Sequence, residues 1–294
     1  MPANTRRAFG LSFLLSTSLL SITAHAENPP SWSEPQEPLK IYGNTYYVGT
    51  RGLGSLLITS TEGHVLIDGA VPEAAPMIAA HIRQLGFKVE DVKAILNSHV
   101  HFDHAGGISE LQKLTGATVW ASPTTAKVLE RGGVGPDDPQ LGTIDPTQKS
   151  AKVAVIGKDG IVRVGPLALT AHYTPGHTSG GTSWTWQSCE EKRCLNLVYA
   201  DSLTAISAPD FKYTKNTRYP NALKDLERSF ATVAALKCDI LVTPHPDLSA
   251  LWERVEKRDV QGERDALINS RSCEMYVDAS RERLRKRLEQ ERAP

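Results

Sequence analysis

Apolar and polar positions alternate in short strand-like runs at 41–42, 45–48, 55–59 and 65–67, separated by Gly-Asn, Gly-rich and Glu-Gly turns. That pattern predicts an antiparallel sheet built from hairpins. Ahead of it, residues 28–38 carry prolines at 29, 30, 35 and 38 among polar residues, which reads as an extended arm anchored by Trp32. The spacing then turns helical. Ile78, Ile82 and Leu85 share a face, Gly86 is placed to cap it, and a strand over 92–96 follows. Ile108, Leu111 and Leu114 mark the next helix, Val119-Trp120 a strand and 124–131 a short helix. Residues 132–150 form a Gly/Pro/Asp loop, and a loop of that length inside a folded domain is usually functional or disordered.

Strands resume at 153–156, 161–164, 167–172, 182–186 and 195–199. Leu223, Leu226, Phe230, Val233 and Leu236 make the clearest amphipathic helix, with Asn221 as its candidate cap, and lead into a strand over 240–242. The tail from residue 266 onward is helical, and its basic run 281–287 is interrupted by Glu282, the mark of a solvated helix face. A weak echo links the halves: helix, strand and His99 in one, helix, strand and His245 in the other. The expectation is an α/β fold with two βα halves facing each other across one site.

The 33 basic and 33 acidic residues among 294 exclude a nucleic-acid or anionic-membrane partner and leave a small-molecule substrate. Residues 1–26 read as a cleaved signal peptide, with Arg6-Arg7, an apolar stretch of about 15 residues and Ala24-His25-Ala26 as the cleavage site. That stretch is shorter than the roughly 20 residues a spanning helix needs. The mature chain then begins near Glu27, in the periplasm and free of the membrane. Residues 27–294 are expected to form one domain with an extended arm over 27–40, and a monomer. Removal of two arginines leaves 31 bases (33 less 2) against 33 acids. Arg6-Arg7 fits both a twin-arginine signal and an ordinary positive leader.

An exported chain with four cysteines favours disulfides, and three pairings are open. Cys189 and Cys194 flank a polar turn and could staple that hairpin; Cys238 and Cys273 would then tie the C-terminal helix to a core strand.

The chemistry concentrates at 97–107, Asn-Ser-His-Val-His-Phe-Asp-His-Ala-Gly-Gly. His99, His101, Asp103 and His104 follow an apolar strand, where α/β folds place their sites. Four such donors so closely spaced cannot all address one ion, which suggests two metals side by side. His99 and His101 point to the same side of an extended chain and should share an ion, with Asp103 and His104 turned to the other. His177 in Thr-Pro-Gly-His and His245 in Thr-Pro-His bring the donors to six, two sets of three that leave room for water.

This pattern resembles the metallo-β-lactamase superfamily from about Tyr46 to the C-terminal helix, and within it subclass B3. The likeness rests on the histidine motif together with Tyr-Tyr-Val-Gly-Thr at 46–50, Val-Leu-Ile-Asp-Gly at 65–69 and Gly-His-Thr-Ser-Gly-Gly-Thr-Ser-Trp-Thr-Trp at 176–186. The more discriminating stretches are Tyr-Ala-Asp-Ser-Leu-Thr at 199–204 and Cys-Asp-Ile-Leu-Val-Thr-Pro-His-Pro at 238–246. The resemblance implies a four-layer αβ/βα sandwich with two mixed β-sheets flanked by helices. It implies two Zn²⁺ ions, one held by His99, His101 and His177, the other by Asp103, His104 and His245. Subclass B1 uses a cysteine ligand where this chain has Ser202, and His104 agrees with that replacement.

The activity implied is hydrolysis of the β-lactam amide of penicillins, cephalosporins and carbapenems, and hence antibiotic resistance. A zinc pair can share a hydroxide that attacks the lactam carbonyl, with one ion polarising that carbonyl and the other accepting charge on the departing nitrogen. Asp103 would ligate and orient the nucleophile or relay a proton. Ser202 and Thr204 would face the substrate carboxylate, and Gln140 would contact it or the lactam carbonyl. The alternatives are a homoserine lactonase or glutathione thioesterase of the same fold, and a non-catalytic zinc carrier. Asp68 reads as a support for a ligand histidine or as a turn carboxylate, His172 as core or support, and His64 and His81 as surface residues. Asp201 is expected not to bridge the metals, although other hydrolases of the superfamily use such an aspartate that way.

Overall fold

A computed structural model describes residue 1 and residues 28–293. The proposed signal peptide, apart from Met1, and Glu27 after its cleavage site therefore lie outside the described residues. The hairpin pattern folds as four short strands, β1 (Leu39–Tyr42), β2 (Thr45–Tyr47), β3 (Leu56–Ile58) and β4 (His64–Ile67), paired antiparallel in chain order. After helix α1 (Ala75–Gln84) the chain adds β5 (Val92–Leu96) parallel to β4. Helices α2 (Phe102–Ala105) and α3 (Ile108–Thr115) come next, then β6 (Thr118–Ala121), helix α4 (Pro123–Arg131) and β7 (Val153–Val155). The first sheet is thus seven-stranded and mixed, in the order β1 to β7.

The second sheet, also mixed, has five strands in the order β12-β11-β10-β9-β8. They are β8 (Ile161–Val164), β9 (Leu167–Tyr173), β10 (Thr182–Glu190), β11 (Arg193–Tyr199) and β12 (Ile240–Val242). Helix α5 (Ala222–Ala234) precedes β12; α6 (Leu251–Asp259) and α7 (Ser272–Arg292) follow it.

Side-chain alternation stacks these elements in four layers. Leu57, Leu66, Ile95 and Val119 face α1, α3 and α4 in one core. Leu56, Ile58, Val65, Ile67 and Leu96 meet Trp184, Leu197, Tyr199, Ile240 and Val242 between the sheets. Val198 and Leu241, on the far face of the second sheet, pack under α5 and α7.

Several local expectations need correction. The helical tail starts at Ser272 instead of residue 266, and the separate helix α6 precedes it. Asn221 makes no side-chain cap; Ser122 does, accepting from Thr125 N at 3.3 Å to start α4. His64 and His81 are buried, not on the surface: His64 stands edge-on to Phe87 at 5.1 Å, and His81 Nδ1 lies 2.8 Å from Val48 O. His172 is half-buried and pairs with Thr185 Oγ1 at 2.8 Å. No described helix is long and apolar enough to cross a membrane.

The cysteines pair as Cys189–Cys194 and Cys238–Cys273. The first joins directly opposed residues of the β10–β11 hairpin; the second ties α7 to the residue stretch entering β12. Sequence separations of 5 and 35 decide their relative worth. Loop-closure entropy assigns about 2 kcal/mol to the short closure and about 4 kcal/mol to the long one. Replacing each pair by alanines should lower the urea midpoint far more for Cys238/Cys273; equal losses would contradict this ordering.

Candidate metal centre

The strand β5 delivers the donors. Beyond Leu96 the chain runs through Asn97 and Ser98 to His99 and His101, and Asp103 and His104 then fall within the single turn α2. Asp68, at the end of β4 with a positive φ of 57°, braces this run from beneath. Its carboxylate accepts from Asn97 Nδ2 at 3.0 Å, Ser98 N at 2.8 Å, Ser98 Oγ at 2.6 Å and Tyr199 OH at 3.0 Å. Burial pushes the Asp68 carboxyl up, and the His104 charge and the Ser98 and Tyr199 hydrogen bonds oppose it. Asp68 therefore holds the backbone leading into the motif and touches no ligand histidine directly.

His99, His101 and His177 form a triangle whose ring centroids are each 4.8 Å apart, and one nitrogen from each converges within 4.8 Å of the others. Every ring is held from behind. His99 Nδ1 lies 2.7 Å from Asp201 Oδ1, and its Nε2 is buried with no hydrogen-bond partner. His101 Nε2 lies 2.9 Å from Asp138 Oδ2. His177 Nδ1 lies 3.0 Å from both Thr204 O and Thr204 Oγ1. An acceptor on one nitrogen fixes the hydrogen there and aims the other lone pair inward, the arrangement metal-ligating histidines need.

The second set is tighter. Asp103 Oδ2 lies 3.1 Å from His104 Nε2 and 3.4 Å from His245 Nε2, and the two imidazole nitrogens are 3.2 Å apart. A tetrahedral zinc with bonds of about 2.0–2.1 Å spaces its donors about 3.3 Å apart, so this triangle fits such an ion. His99, Asp103 and His104 also converge within 4.8 Å; for the second set the hydrogen-bond-scale distances to His245 are the closer match, and His99 serves as the wall the two sets share. His104 Nδ1 is buried without a partner.

The electrostatics match a cation-binding role. Burial, then His104, His101 and His177, push the His99 imidazole well down. Burial and His101 hold His177 at about 3, and burial and His104 hold His245 at about 4. Asp103 is held well below the usual carboxylate range: burial opposes this, but the His104 charge and hydrogen bond and the His245 charge outweigh it. Burial lowers His104, while the adjoining Asp103 more than reverses that. Among the described residues the buried acids are Asp68, Asp103, Asp138 and Asp201, and no lysine or arginine is buried.

The donors form the floor of a cleft of about 680 Å³, with His101, Asp103, His177 and His245 at its base. Thr204 and Gln140 line it, whereas Ser202 is buried beside it with an unpartnered hydroxyl. Sequence reasoning missed much of the wall. Trp32 lines the cleft, 5.8 Å from both Phe102 and His245, and Arg283 and Lys286 reach it from α7. Asp138 and the rear position of Asp201 were equally unsignalled, since no motif marks an aspartate that acts through a neighbouring ring.

Comparison with known proteins agrees with this geometry. Residues 54–190 match the family described as the metallo-beta-lactamase superfamily. The solved structure of the Rm3 metallo-beta-lactamase superposes with a TM-score of 0.87 at 52% identity, over 90% of this chain and 97% of that one. MEM-A1, a subclass B3 metallo-beta-lactamase isolated from a soil metagenome library, gives 0.86 at 53% identity, over 88% and 98%. A hydroxyacylglutathione hydrolase of Rhodopseudomonas palustris (strain BisB5) is 29% identical over 65% of this chain, and the match spans 66% of that relative's own length. Near-complete coverage at about half identity, on top of the donor arrangement, is what decides: the chain belongs to the metallo-β-lactamase superfamily and, within it, to subclass B3.

Proposed function

We propose that this chain hydrolyses the β-lactam amide of penicillins, cephalosporins and carbapenems at a dizinc site, acting as a monomer in the periplasm after loss of residues 1–26. The observation that carries the reading is the pair of adjoining three-donor sets, His99/His101/His177 and Asp103/His104/His245, at the base of one cleft. When bound there, zinc supplies water activation near neutral pH and Lewis acidity at the carbonyl.

The chain's own groups do the rest. Asp103, ionised beside the cleft, orients the attacking water by accepting its hydrogen bond and passes a proton toward the ring nitrogen as the C–N bond breaks. Thr204, whose backbone oxygen accepts the His177 N–H, presents its hydroxyl to the substrate carboxylate. Gln140 offers its amide to that carboxylate or to the lactam carbonyl, whereas Ser202, expected to share the carboxylate, is 1% exposed and does not line the cleft, so it is left out of the substrate contacts. Trp32 and Phe102 give the substrate an apolar flank.

A thioesterase or lactonase reading has support from the hydroxyacylglutathione hydrolases and from an N-acyl homoserine lactonase of Bacillus cereus, 31% identical over 74 residues. The superfamily resemblance implies an aspartate bridging the metals in hydrolases of that kind. Asp201 here is committed to His99 at 2.7 Å, which favours the lactamase.

The chain recovered from a periplasmic fraction should begin near Glu27, carry two zinc ions, open a carbapenem, and lose that activity with chelator. A metallated chain that spares the carbapenem while cleaving a homoserine lactone or a lactoyl thioester refutes the proposal. His104→Ala should cost about one zinc per chain and about 10²-fold or more in kcat/KM, the scale of losing one transition-state contact. Retention of both ions would remove His104 from the ligand set.

The chelated protein carries a signature of its own. His177 and His245 titrate at about 3 and about 4 when folded, against about 6.5 unfolded. Between those values the unfolded chain binds protons that the folded chain does not, so stability falls as pH drops from about 6.5 toward 4. His104, shifted upward, offsets part of this. The urea midpoint of the metal-free protein should drop by the equivalent of several kcal/mol from pH 7 to pH 4.5, and a flat profile would contradict the assignment of buried, neutral imidazoles.

A further inference from the structure

The 132–150 loop contains neither helix nor named strand, yet it is fastened to the metal centre at several points. Gly133 pairs with Thr147. Thr147 Oγ1 donates to Val100 O, between His99 and His101, at 2.5 Å, and Ala208 N donates to Pro139 O at 2.8 Å. A further attachment is the buried Asp138 side chain, 2% exposed. Its Oδ2 lies 2.9 Å from His101 Nε2, and its Oδ1 accepts the Gln140 backbone N–H at 2.8 Å. Two residues of the same loop, Gln140 and Ile144, line the cleft.

A buried carboxylate is costly unless its acceptors are used. Asp138 meets that condition only while His101 keeps its hydrogen on Nε2. A cation on Nδ1 enforces that tautomer, because the coordinated nitrogen cannot carry the hydrogen. Without the cation Asp138 alone holds the hydrogen on Nε2, and the ring, no longer polarised by a charge on Nδ1, donates a weaker bond to Oδ2. The carboxylate that closes the turn at Gln140 is then held less firmly.

We propose that Asp138 is a positioning residue that couples occupancy of the His99/His101/His177 set to the conformation of residues 138–143, and through them to the placement of Gln140 in the cleft. Coupling of this kind is reciprocal, so a ligand that holds Gln140 also tightens metal in that set. The inference rests on the metal-set assignment but not on the substrate, since it is read without turnover.

The test compares the mature wild-type chain with Asp138→Ala and Asp138→Asn, by zinc affinity in chelator competition and by amide hydrogen exchange over 138–143 with and without zinc. In the wild type, chelation should accelerate exchange there about tenfold or more. Asp138→Ala should bind the tighter-held zinc of that set 10- to 100-fold more weakly, roughly the usual effect of losing an outer partner of a ligand, and its loop should exchange fast whether or not zinc is present. Asp138→Asn retains one acceptor oxygen for the His101 N–H but turns an amide NH2 toward the Gln140 N–H, so it should recover most of the affinity while its loop exchanges fast with or without zinc; it also covers the case in which the alanine variant fails to fold. The proposal is overturned if Asp138→Ala keeps wild-type zinc affinity, if its loop still responds to chelator as the wild type does, or if Asp138→Asn recovers no zinc affinity. Zinc binding with a normal exchange response but no β-lactam hydrolysis would instead count against the proposed function and leave this coupling standing.

Discussion

Four carboxylates are buried in this protein, Asp68, Asp103, Asp138 and Asp201, with no buried lysine or arginine to meet them among the described residues. All four touch the histidine motif or the run that leads into it. An unpaired carboxylate in a protein interior costs several kcal/mol even after relaxation, so this concentration favours the binding of positive charge. The two divalent ions proposed for the site would supply four positive charges against the four negative ones. The imidazoles enforce the same requirement, because their centroids lie 4.5–4.8 Å apart and mutual repulsion and burial prevent them from all taking protons instead. The donors are thus held at fixed spacing in a form suited to binding cations.

The sheets make that arrangement rigid. His99 follows β5, His177 lies on the connection from β9 to β10, Asp201 follows β11 and His245 follows β12, so both sheets discharge their functional residues toward the same edge of the sandwich. Helix α7 belongs to this assembly. Tyr276 OH donates to Asp201 O at 2.9 Å and accepts from Leu203 N at 3.0 Å, which sets the segment carrying both Asp201 and Thr204. Cys273, one turn before Tyr276, is bonded to Cys238 beside β12. The disulfide thus anchors the helix whose tyrosine fixes the support of His99, far along the chain from the motif itself.

How much of this was legible follows from how local each cause is. The hairpins, the strand into His99 and the amphipathic α5 are visible because period two and period 3.6 are properties of short windows. The six donors are visible because histidines at strand ends have few other uses. By contrast, α6 has only Leu251, Trp252 and Val255 to announce it, and the burial of His64 and His81 depends on Phe87 and Val48 arriving from other elements. Asp138 was hidden for the same reason. In Asp137-Asp138-Pro139 nothing local distinguishes the half-buried Asp137 from the aspartate that turns inward, since the choice is made by a histidine 37 positions earlier.

The position of Asp201 depends on a glycine. Its Oδ1 stands behind His99, and its Oδ2 lies so close to Gly181 that a Cβ there would approach it to 2.4 Å, with Thr174 O at 2.5 Å on the other side. No side chain fits at 181, and the glycine is what lets the carboxylate withdraw to this depth. Burial pushes the withdrawn group's pKa well up, against hydrogen bonds from the Ser202 backbone and the Ser98 side chain, so its negative charge is best sustained when His99 is bound to a cation. At this depth the carboxylate stands behind His99 and supports the ring from its far side, away from the converging nitrogens of the donor set.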